Sequence, residues 1–336
     1  CSYHEFIPHT DRLDYLSPIS NNVAYVLAVE KLLGIESPRR AQYIRVLVSE
    51  MSRIASHLVA TGSMAMDVGA LTVLLWTFRD REKILDIYDV LCGARFTTSY
   101  TRIGGLQQDW TAQTTEMLWQ FLGEFDKDLD EVQNLLQTNR IFIDRCENVG
   151  HISREDAIAY GLTGPMLRAS GVPRDLRRDV PYLVYHELDF DVISFPEGDS
   201  LDRFYVRLAE MRESAKILRQ ALAALPQGPY NAFATKHVLP PKERTYTRME
   251  ELIYDFMLVN LGINPPVGEV YQAVESSNGE LGFYIVSNGK GNPYRYHIRT
   301  PSFVNITSLE KMCVGTKIAD FVSILGMVDI VLGELD

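Results

Sequence analysis

The stretch PHTDRLDYLSPISNNVAYVLAVEKLLG, residues 8–34, decides how the chain folds. From Asn22 its apolar residues recur at helical spacing up to Gly34, a residue type at which helices commonly stop. Before that helix, two aspartates, an arginine and a tyrosine fall within five positions: Asp11, Arg12, Asp14 and Tyr15. The stretch predicts a charged turn that leads into a core helix. The turn is either a capped helix start with a surface ion pair or a set of buried charges beside a tyrosine hydroxyl.

Composition limits the classes of protein to consider. The chain has 336 residues and a formal net charge of -11, so it can bury a substantial core in one large domain or two. The acidic balance and the lack of a basic cluster argue against a nucleic-acid surface, because binding phosphates requires an excess of Lys and Arg. Apolar runs such as 44–48 and 71–76, each of which also contains one polar residue, are too short to cross a bilayer as helices. Any membrane contact is therefore expected to go through partners.

The four cysteines are widely scattered and include no C-x-x-C pair: Cys1, Cys92, Cys146 and Cys313. This pattern favours free thiols in a reduced compartment and suggests neither a metal site nor a disulfide framework. The chain opens on Cys1 with no methionine and no signal-peptide pattern, so we expect that upstream sequence is missing.

Hydrophobic periodicity predicts a mainly α fold with a small β region. Apolar residues at helical spacing predict helices over 39–61, 76–94, 116–139, 202–225, 249–261 and 318–325. Alternating segments with Asn-Gly turns predict antiparallel strands over 267–274, 281–287 and 294–298. We predict an α+β chain with a helical bundle core and a small antiparallel sheet in the C-terminal third. As one domain, 1–336, it would comprise a helical core (1–263), the β region (264–303) and a C-terminal helix and tail (304–336).

Polar residues within the predicted helices are candidates for a site. Glu50, Arg53 and His57 share one helix face, where a solvated or interhelical ion pair competes with a catalytic role. Asp67 lies among apolar residues, so its carboxylate is expected to be paired, to cap a helix or to have a shifted pKa. The Gly104-Gly105 pair predicts a tight turn or a close backbone approach and lacks the other residues of a phosphate loop.

A Gly- and Pro-rich segment, 161–185, is unusually rich in charge. It could hold an anion or join two subunits through charge pairs. It carries Arg168, Arg174, Asp175, Arg177 and Arg178.

Eight motifs, in order along essentially the whole chain, resemble the 49 kDa, or D, subunit family of respiratory complex I. They are DRLDYLSP (11–18), AVEKLLG (28–34), RAQYIRVLVSEMSRIASHL (40–58), MDVGALT (66–72), GARFTTSYTRIGG (93–105), LRASGVPRDLRRDVPY (167–182), FYIVSNGKGNPYRYHIRTPSF (283–303) and GELD (333–336). The family usually has a further upstream segment with a histidine-bearing hairpin, so the chain looks like a truncated copy.

The same family resembles the large subunit of nickel-iron hydrogenases, which implies a hydrogenase-large-subunit-like fold. With the two aligned on AVE at 28–30, the metal-binding cysteine pairs of the hydrogenase fall at Asp14 and Ser17 and at Val331 and Glu334. None of these is a thiolate, and a nickel-iron centre needs soft thiolate ligands. The resemblance therefore implies a metal chamber without its metal.

The resemblance implies that the vacated chamber binds a quinone headgroup. Tyr15 matches the tyrosine that hydrogen-bonds a quinone carbonyl, and a phenol can both donate to that carbonyl and supply a proton. Asp67 matches the acid that partners the upstream histidine on the other side of the headgroup. Asp14, Ser63 and Leu75 would lie on or near the wall of the pocket.

The resemblance also implies contacts with a small subunit that carries an iron-sulfur cluster. Arg45, Arg53 and His57 match residues that face this partner, where positive charge would raise the potential of the cluster. The arginines of 168–178 would serve intersubunit contacts.

The implied function is that of a peripheral-arm subunit of a proton-translocating NADH:quinone oxidoreductase, inactive as an isolated chain. Quinone would be the substrate, and this chain would bind no cofactor of its own. Its partners would be the iron-sulfur subunit, other peripheral-arm subunits and a quinone-channel membrane subunit, on the cytoplasmic or matrix face of the membrane. Two alternatives stay open: a hydrogenase-like large subunit of a related membrane-bound oxidoreductase, which metal analysis would reveal, and a non-catalytic scaffold.

Overall fold

The computed structural model describes residues 1–233 and 236–335 and has a mainly α fold with small antiparallel sheets, which confirms the predicted fold class. The helices are α1 Ile7–Thr10, α2 Pro18–Leu33, α3 Arg39–Asp67, α4 Leu71–Cys92, α5 Ala112–Gln137, α6 Arg140–Cys146, α7 Arg154–Ala159, α8 Pro165–Arg168, α9 Leu176–Asp179, α10 Ser200–Ala223, α11 Lys242–Thr247, α12 Met249–Leu261, α13 Pro301–Ile306, α14 Leu309–Cys313 and α15 Asp320–Val328. The strands are β1 Thr101–Arg102, β2 Gly105–Leu106, β3 Gly268–Ser276, β4 Gly279–Ser287 and β5 Arg295–Arg299. Short 3-10 turns cover Tyr185–Glu187 and Leu332–Glu334.

Helix α2 follows the charged turn as predicted. Proline occupies its first position, where the missing N–H costs no hydrogen bond, and Gly34 ends it in a left-handed conformation with φ of 66°. Ser17 is the N-cap residue but does not cap the helix with its side chain. Its hydroxyl instead lies 2.9 Å from the Ser20 hydroxyl and 3.0 Å from the Ser52 hydroxyl on α3. The turn is thereby attached to the central helix of the molecule.

Helix α3 is the centre of the fold, and most of its residues are buried. It packs against α2, α4, α10 and α15. It also runs six residues past its predicted end at Thr61, through Gly62 to Asp67. A Cβ at Gly62 would lie 2.2 Å from the Thr77 hydroxyl on α4. Gly62 thus serves a close helix–helix approach rather than a helix stop, and this is why the predicted boundary was wrong.

The larger sheet has the strand order β3-β4-β5, all antiparallel, with Ser276 paired to Gly279 at the tight β3–β4 turn. The predicted strands and the Asn278-Gly279 turn are confirmed. This turn is buried, although hairpin turns usually lie at the surface. A Cβ at Gly279 would lie 2.8 Å from the Thr163 carbonyl carbon, so the turn packs directly against the chain before α8.

The Gly104-Gly105 pair makes the tight turn and close approach that the sequence predicts. Gly104 has φ of 83° at the β1–β2 turn. A Cβ at Gly105 would lie 2.4 Å from the Tyr230 carbonyl oxygen.

The C-terminal segment packs against the charged turn that precedes α2. Helix α15 ends at Asp329, which adopts a left-handed conformation with φ of 57° although it is not glycine. A Cβ at Gly333 would lie 2.4 Å from the Arg12 carbonyl oxygen and 2.5 Å from that of Leu13. The tail therefore lies against the turn before α2. Of the helices in the described ranges, none is both long and apolar enough to cross a bilayer.

Candidate functional site

The site lies where the turn before α2, the end of α15 and the C-terminal tail meet. Asp14 and Ser17 are on the turn, and Val331 and Glu334 are on the tail. The tail is fixed to α13, because Ser302 donates its backbone N–H to Glu334 at 3.1 Å and its hydroxyl accepts the Val331 N–H at 3.4 Å. The segments bearing the four positions of the hydrogenase cysteines, assigned by resemblance, thus come together in the folded chain.

Asp14 is a buried carboxylate whose two oxygens both accept hydrogen bonds. Its Oδ1 accepts the backbone N–H groups of Leu16 at 3.0 Å and Ser17 at 3.1 Å. Its Oδ2 accepts the hydroxyl of Ser277, from the buried β3–β4 turn, at 3.2 Å. Burial, assisted by the negative charge of Asp329, outweighs these donors and raises the pKa of Asp14 to about 6.

Glu334 is a second buried carboxyl group in this site. Its Oε2 accepts both the backbone N–H and the hydroxyl of Ser302, while its Oε1 is buried and has no hydrogen-bond partner among the described residues. Burial and the neighbouring charges of Asp14 and Asp329 raise the pKa of Glu334 to about 8. Glu334 is therefore largely protonated at neutral pH.

Asp329 is the third buried carboxylate. Its Oδ2 lies 3.7 Å from Nε of Arg207 on α10, and burial raises its pKa above the ordinary value. Its left-handed backbone is held in place because Asn278 donates its side-chain amide to the Asp329 carbonyl at 3.2 Å. Within residues 1–233 and 236–335, no three His, Cys, Asp or Glu side chains are arranged to hold a metal ion.

Segment 326–334 lies against the Asp67 carboxylate at one end and against the turn that bears Tyr15 at the other. Tyr15 is half-buried directly after Asp14, and its hydroxyl has no hydrogen-bond partner within the described chain. Asp67 is the exposed last residue of α3, and a Cβ at Gly326 on α15 would lie 2.8 Å from its Oδ2. Partial burial raises the pKa of Asp67, and the negative end of the α3 dipole acts in the same direction. Residues 326–334 therefore contact both the Asp67 carboxylate and the Tyr15 turn.

Ser63 and Leu75, the other expected wall residues, make no polar contact with these groups. Ser63 donates its hydroxyl to the Ala60 carbonyl of its own helix at 3.0 Å. Leu75 on α4 is 65% exposed, so its side chain is free to contact a ligand or a partner. A cavity of about 210 Å³ lined by Tyr3, Phe6, Tyr25 and Tyr296 lies elsewhere, and neither Tyr15 nor Asp67 lines it.

Arg45, Arg53 and His57 are all buried inside the chain, with Arg53 and His57 one turn apart on α3. Arg45 binds Glu30 through both terminal nitrogens, at 2.8 and 2.6 Å. Arg53 donates to the carbonyls of the β3–β4 turn, and His57 contacts Glu210 at 3.0 Å. Each side chain has its polar contacts within this chain. Their expected position near a partner's iron-sulfur cluster stays a prediction.

The arginines of 168–178 divide into buried and exposed members, and the expectation of intersubunit contacts is wrong for the buried ones. Arg168 binds Glu210 and Glu275, both at 2.7 Å, and Arg177 binds Glu50 at 3.1 Å. Because their carboxylate partners lie in the same chain, these two arginines join α3, α10 and the sheet. Arg174 and Arg178 are exposed and can still meet a partner.

These ion pairs form one buried network in which the pKa values of Asp175, Glu50 and Glu210 are lowered, whereas burial raises the pKa of Glu275. Burial raises the pKa of Asp175, but Arg177 and Arg168 outweigh it and hold that pKa at about 2. Burial opposes the ionisation of Glu50 in the same way, and Arg177 and Arg53 hold its pKa below the ordinary value. The Glu50–Arg53 contact that helical spacing predicts is present at 3.4 Å. The arginines of the network thus compensate its negative charges, whereas the three carboxyl groups of the site have fewer cations beside them than negative charges.

Sequence reasoning missed Asp329, Ser277, Ser302 and Arg207 as parts of the site. Asp329 carried a signal, because it lies two residues before Val331, one of the positions assigned by resemblance. Ser277 lies in a correctly predicted hairpin turn, but nothing in a hairpin pattern indicates that the turn is buried. Ser302 and Arg207 are distant in sequence from every candidate, so only the tertiary packing identifies them.

The fold and the site define a hydrogenase-large-subunit-like chain in which oxygen-bearing side chains and an aliphatic one occupy the positions of the metal-binding cysteines. A family model described as respiratory-chain NADH dehydrogenase, 49 kDa subunit, matches residues 67–336. The chain belongs to this family.

Curated bacterial relatives extend the match to the rest of the chain. The NADH-quinone oxidoreductase D subunit 1 of Chloroherpeton thalassium is 53% identical over 335 residues, which cover 100% of this chain and 76% of the relative. The corresponding D subunit of Methylacidiphilum infernorum is 54% identical over 334 residues, covering 99% of this chain and 80% of the relative. That of Geotalea uraniireducens is 52% identical over 339 residues, covering 100% of this chain and 86% of the relative.

Proposed function

We propose that the chain is the D subunit of a proton-translocating NADH:quinone oxidoreductase and that it supplies one wall of the quinone headgroup pocket. The other wall would come from the subunit that carries the terminal iron-sulfur cluster, and NADH would bind elsewhere in the complex. The observation that supports this proposal is that one segment, 326–334, contacts both the Asp67 carboxylate and the turn bearing Tyr15.

The chemistry of the two side chains suits a quinone. A quinone that gains two electrons must also gain two protons, so its carbonyl oxygens need acidic donors on both sides. The Tyr15 hydroxyl is not engaged by other described residues, and a phenol can donate to a carbonyl oxygen. The raised pKa of Asp67 increases the fraction that carries a proton. Exposure of both side chains fits a pocket that is completed by a partner.

The same proposal places the chain in the peripheral arm, on the cytoplasmic or matrix face of the membrane. Its neighbours there would be other peripheral-arm subunits and a quinone-channel membrane subunit. Stoichiometric nickel in the purified protein would overturn the proposal in favour of a hydrogenase-like large subunit.

Tyr15→Phe in the intact complex tests the pocket. We expect quinone reductase activity to fall by about 10²-fold or more, because the phenol that donates the proton is lost while the ring is kept. NADH oxidation by an artificial acceptor should be unchanged, since it does not need the quinone pocket. Tyr205→Phe, which removes the hydroxyl of another half-buried tyrosine, is the matched control. Wild-type quinone activity in Tyr15→Phe would exclude Tyr15 from the reaction.

A further inference from the structure

The site holds more negative charge than its cations compensate. Asp14, Asp329 and Glu334 come from three separate segments; Asp14 and Glu334 are buried, and the side chain of Asp329 is only 9% exposed. The described groups that face them with opposite charge are Arg207, at 3.7 Å from Asp329, and His57 on α3, which is already bound to Glu210. The three carboxyl groups are not arranged as metal ligands. Three buried carboxylates beside one arginine cannot all stay ionised, so the site must retain a proton.

Hydrogen bonds identify which carboxyl group carries that proton. Both oxygens of Asp14 accept bonds, from the N–H groups of Leu16 and Ser17 and from the Ser277 hydroxyl. The buried Oδ2 of Asp329 has no hydrogen-bond partner among the described residues either, but it lies 3.7 Å from Nε of Arg207, and this cation favours the ionised form of Asp329. Glu334 accepts only on Oε2, and its buried Oε1 has no partner within the described residues. Among the described residues Glu334 has no ion-pair partner, its Oε1 accepts no hydrogen bond, and a neutral acid needs fewer donors than a carboxylate, so Glu334 is the group that stays protonated.

Asp14 lies on the turn that bears Tyr15, and the tail that bears Glu334 packs against that turn. Asp14 precedes Tyr15, and its Oδ1 accepts the N–H of Leu16, the residue that follows Tyr15. The Asp14 carboxylate therefore folds back across the Tyr15 peptide. Glu334 is held against the same turn, because a Cβ at Gly333 would lie 2.5 Å from the Leu13 carbonyl oxygen.

We propose that Glu334 holds a proton at neutral pH, shared with Asp14, and that this pair returns a proton to Tyr15 after the phenol has donated its own. Two electrons from the partner's iron-sulfur cluster and two protons convert quinone to quinol. One proton comes from the Tyr15 hydroxyl, which leaves a phenolate, and the other comes from the Asp67 side. Glu334 then protonates the phenolate, and the fully ionised pair recovers a proton from water. This reaction step rests on the proposed function, whereas the bound proton does not.

The bound proton is tested by denaturant unfolding of the full chain between about pH 6.5 and 8. In the unfolded chain Glu334 is ionised throughout this range, since an ordinary glutamate has a pKa of about 4.3. The folded state binds one proton more, so the unfolding equilibrium constant should rise about tenfold per pH unit until Glu334 ionises near pH 8. Histidines whose pKa is lowered in the folded state take up protons on unfolding and oppose this rise below about pH 7.5, so the contribution of Glu334 is measured as the pH slope of the wild type minus that of Glu334→Gln, which keeps every histidine.

Glu334→Gln should abolish this rise, because the amide has the shape of the protonated acid and cannot lose a proton. Ser302→Ala should move the rise to higher pH, since it removes a donor from Oε2 and disfavours the carboxylate. Glu147→Gln, at an exposed glutamate, should leave the rise unchanged. Equal pH slopes in the wild type and in Glu334→Gln would overturn the proposal.

The step that returns the proton is tested in the intact complex with the same variant. Glu334→Gln should lower kcat for quinone reduction about tenfold, leave KM unchanged and flatten the pH profile near pH 8. NADH oxidation by an artificial acceptor should stay at the wild-type rate. If unfolding shows the proton but kcat is unaltered, the pair does not serve Tyr15 and the reaction step is excluded. If Tyr15→Phe retains quinone activity, the proposed function fails while the unfolding result stands.

Discussion

Arg177 lies fully inside the molecule with carboxylates on two sides. It binds Asp175 at 2.6 Å and Glu50 at 3.1 Å, and the pKa values of both carboxyl groups are held below their ordinary values. Buried charges of this kind contribute little net stability as a complete set, but the loss of one member leaves the others uncompensated. The removal of Arg177 would therefore destabilise the fold mainly by leaving Glu50 and Asp175 buried without their cation.

Arg177→Met should lower the free energy of unfolding by about 3–5 kcal/mol at neutral pH, because Glu50 and Asp175 would remain buried without their cation. The loss should shrink as the pH falls and the two carboxylates take up protons. The matched control is Arg178→Met, an exposed neighbour whose loss should cost under about 1 kcal/mol. Equal effects in the two variants, measured by urea unfolding, would show that the network does not stabilise the fold.

At the same scale, the sequence indicated some charges of the network but not their environment. Helical spacing predicted the Glu50–Arg53 contact because both residues lie on one helix. The partners of Arg168 come from α10 and β3, more than forty residues away in sequence, and no local pattern encodes that distance. The local sequence around a loop arginine therefore does not indicate whether the arginine contacts a partner subunit or a buried glutamate of the same chain.

Among the elements, the β3–β4 hairpin contacts both the buried ion network and the site. Its turn receives Arg53 on the carbonyls of Glu275 and Ser276, and Ser277 binds Asp14. The turn fits because Gly279, with φ of 132°, lies against the backbone before α8. A side chain there would push the turn away from both the ion network and the site.

Gly279→Ala should destabilise the chain by more than about 2 kcal/mol, because it adds a backbone clash to the cost of a positive φ. The new Cβ would lie 2.8 Å from the Thr163 carbonyl carbon and 3.0 Å from the Gly164 nitrogen. Gly289→Ala is the matched control, since it has φ of 82° but its Cβ would meet only a Val267 methyl at 3.4 Å. The control should cost about 1–2 kcal/mol. Urea unfolding of both variants measures the difference.

Most elements could be predicted from the sequence, because hydrophobic periodicity and turn residues act locally. Helix α12 was predicted over the same residues that the structure shows, and α2 ends at the predicted glycine. The end of α3 was not predicted, because Gly62 allows the close approach of the Thr77 hydroxyl from another helix and does not end α3. Asp14 was indicated by the charged turn, but Glu334 was indicated only through resemblance, since residues so far apart along the chain give no local signal of contact.

For the whole molecule, the distribution of exposed apolar side chains indicates an incomplete surface. Helix α12 buries only Glu251 and Leu258. Seven of its other apolar side chains are at least 46% exposed: Met249, Leu252, Ile253, Phe256, Met257, Val259 and Leu261. A folded chain rarely leaves such a contiguous patch in water unless another molecule covers it. This agrees with the proposal that the chain works as one subunit of a complex.

The isolated chain should therefore self-associate through α12 as its concentration rises, because the patch gains free energy whenever it leaves water. Phe256→Glu should weaken this association by about tenfold or more, since Phe256 is 67% exposed near the middle of the helix and a buried charge opposes contact. Leu135→Glu on α5 adds the same charge at a position 43% exposed outside the patch and should leave association unchanged. Sedimentation across a concentration series measures both. A monomeric wild-type chain at high concentration would contradict the prediction.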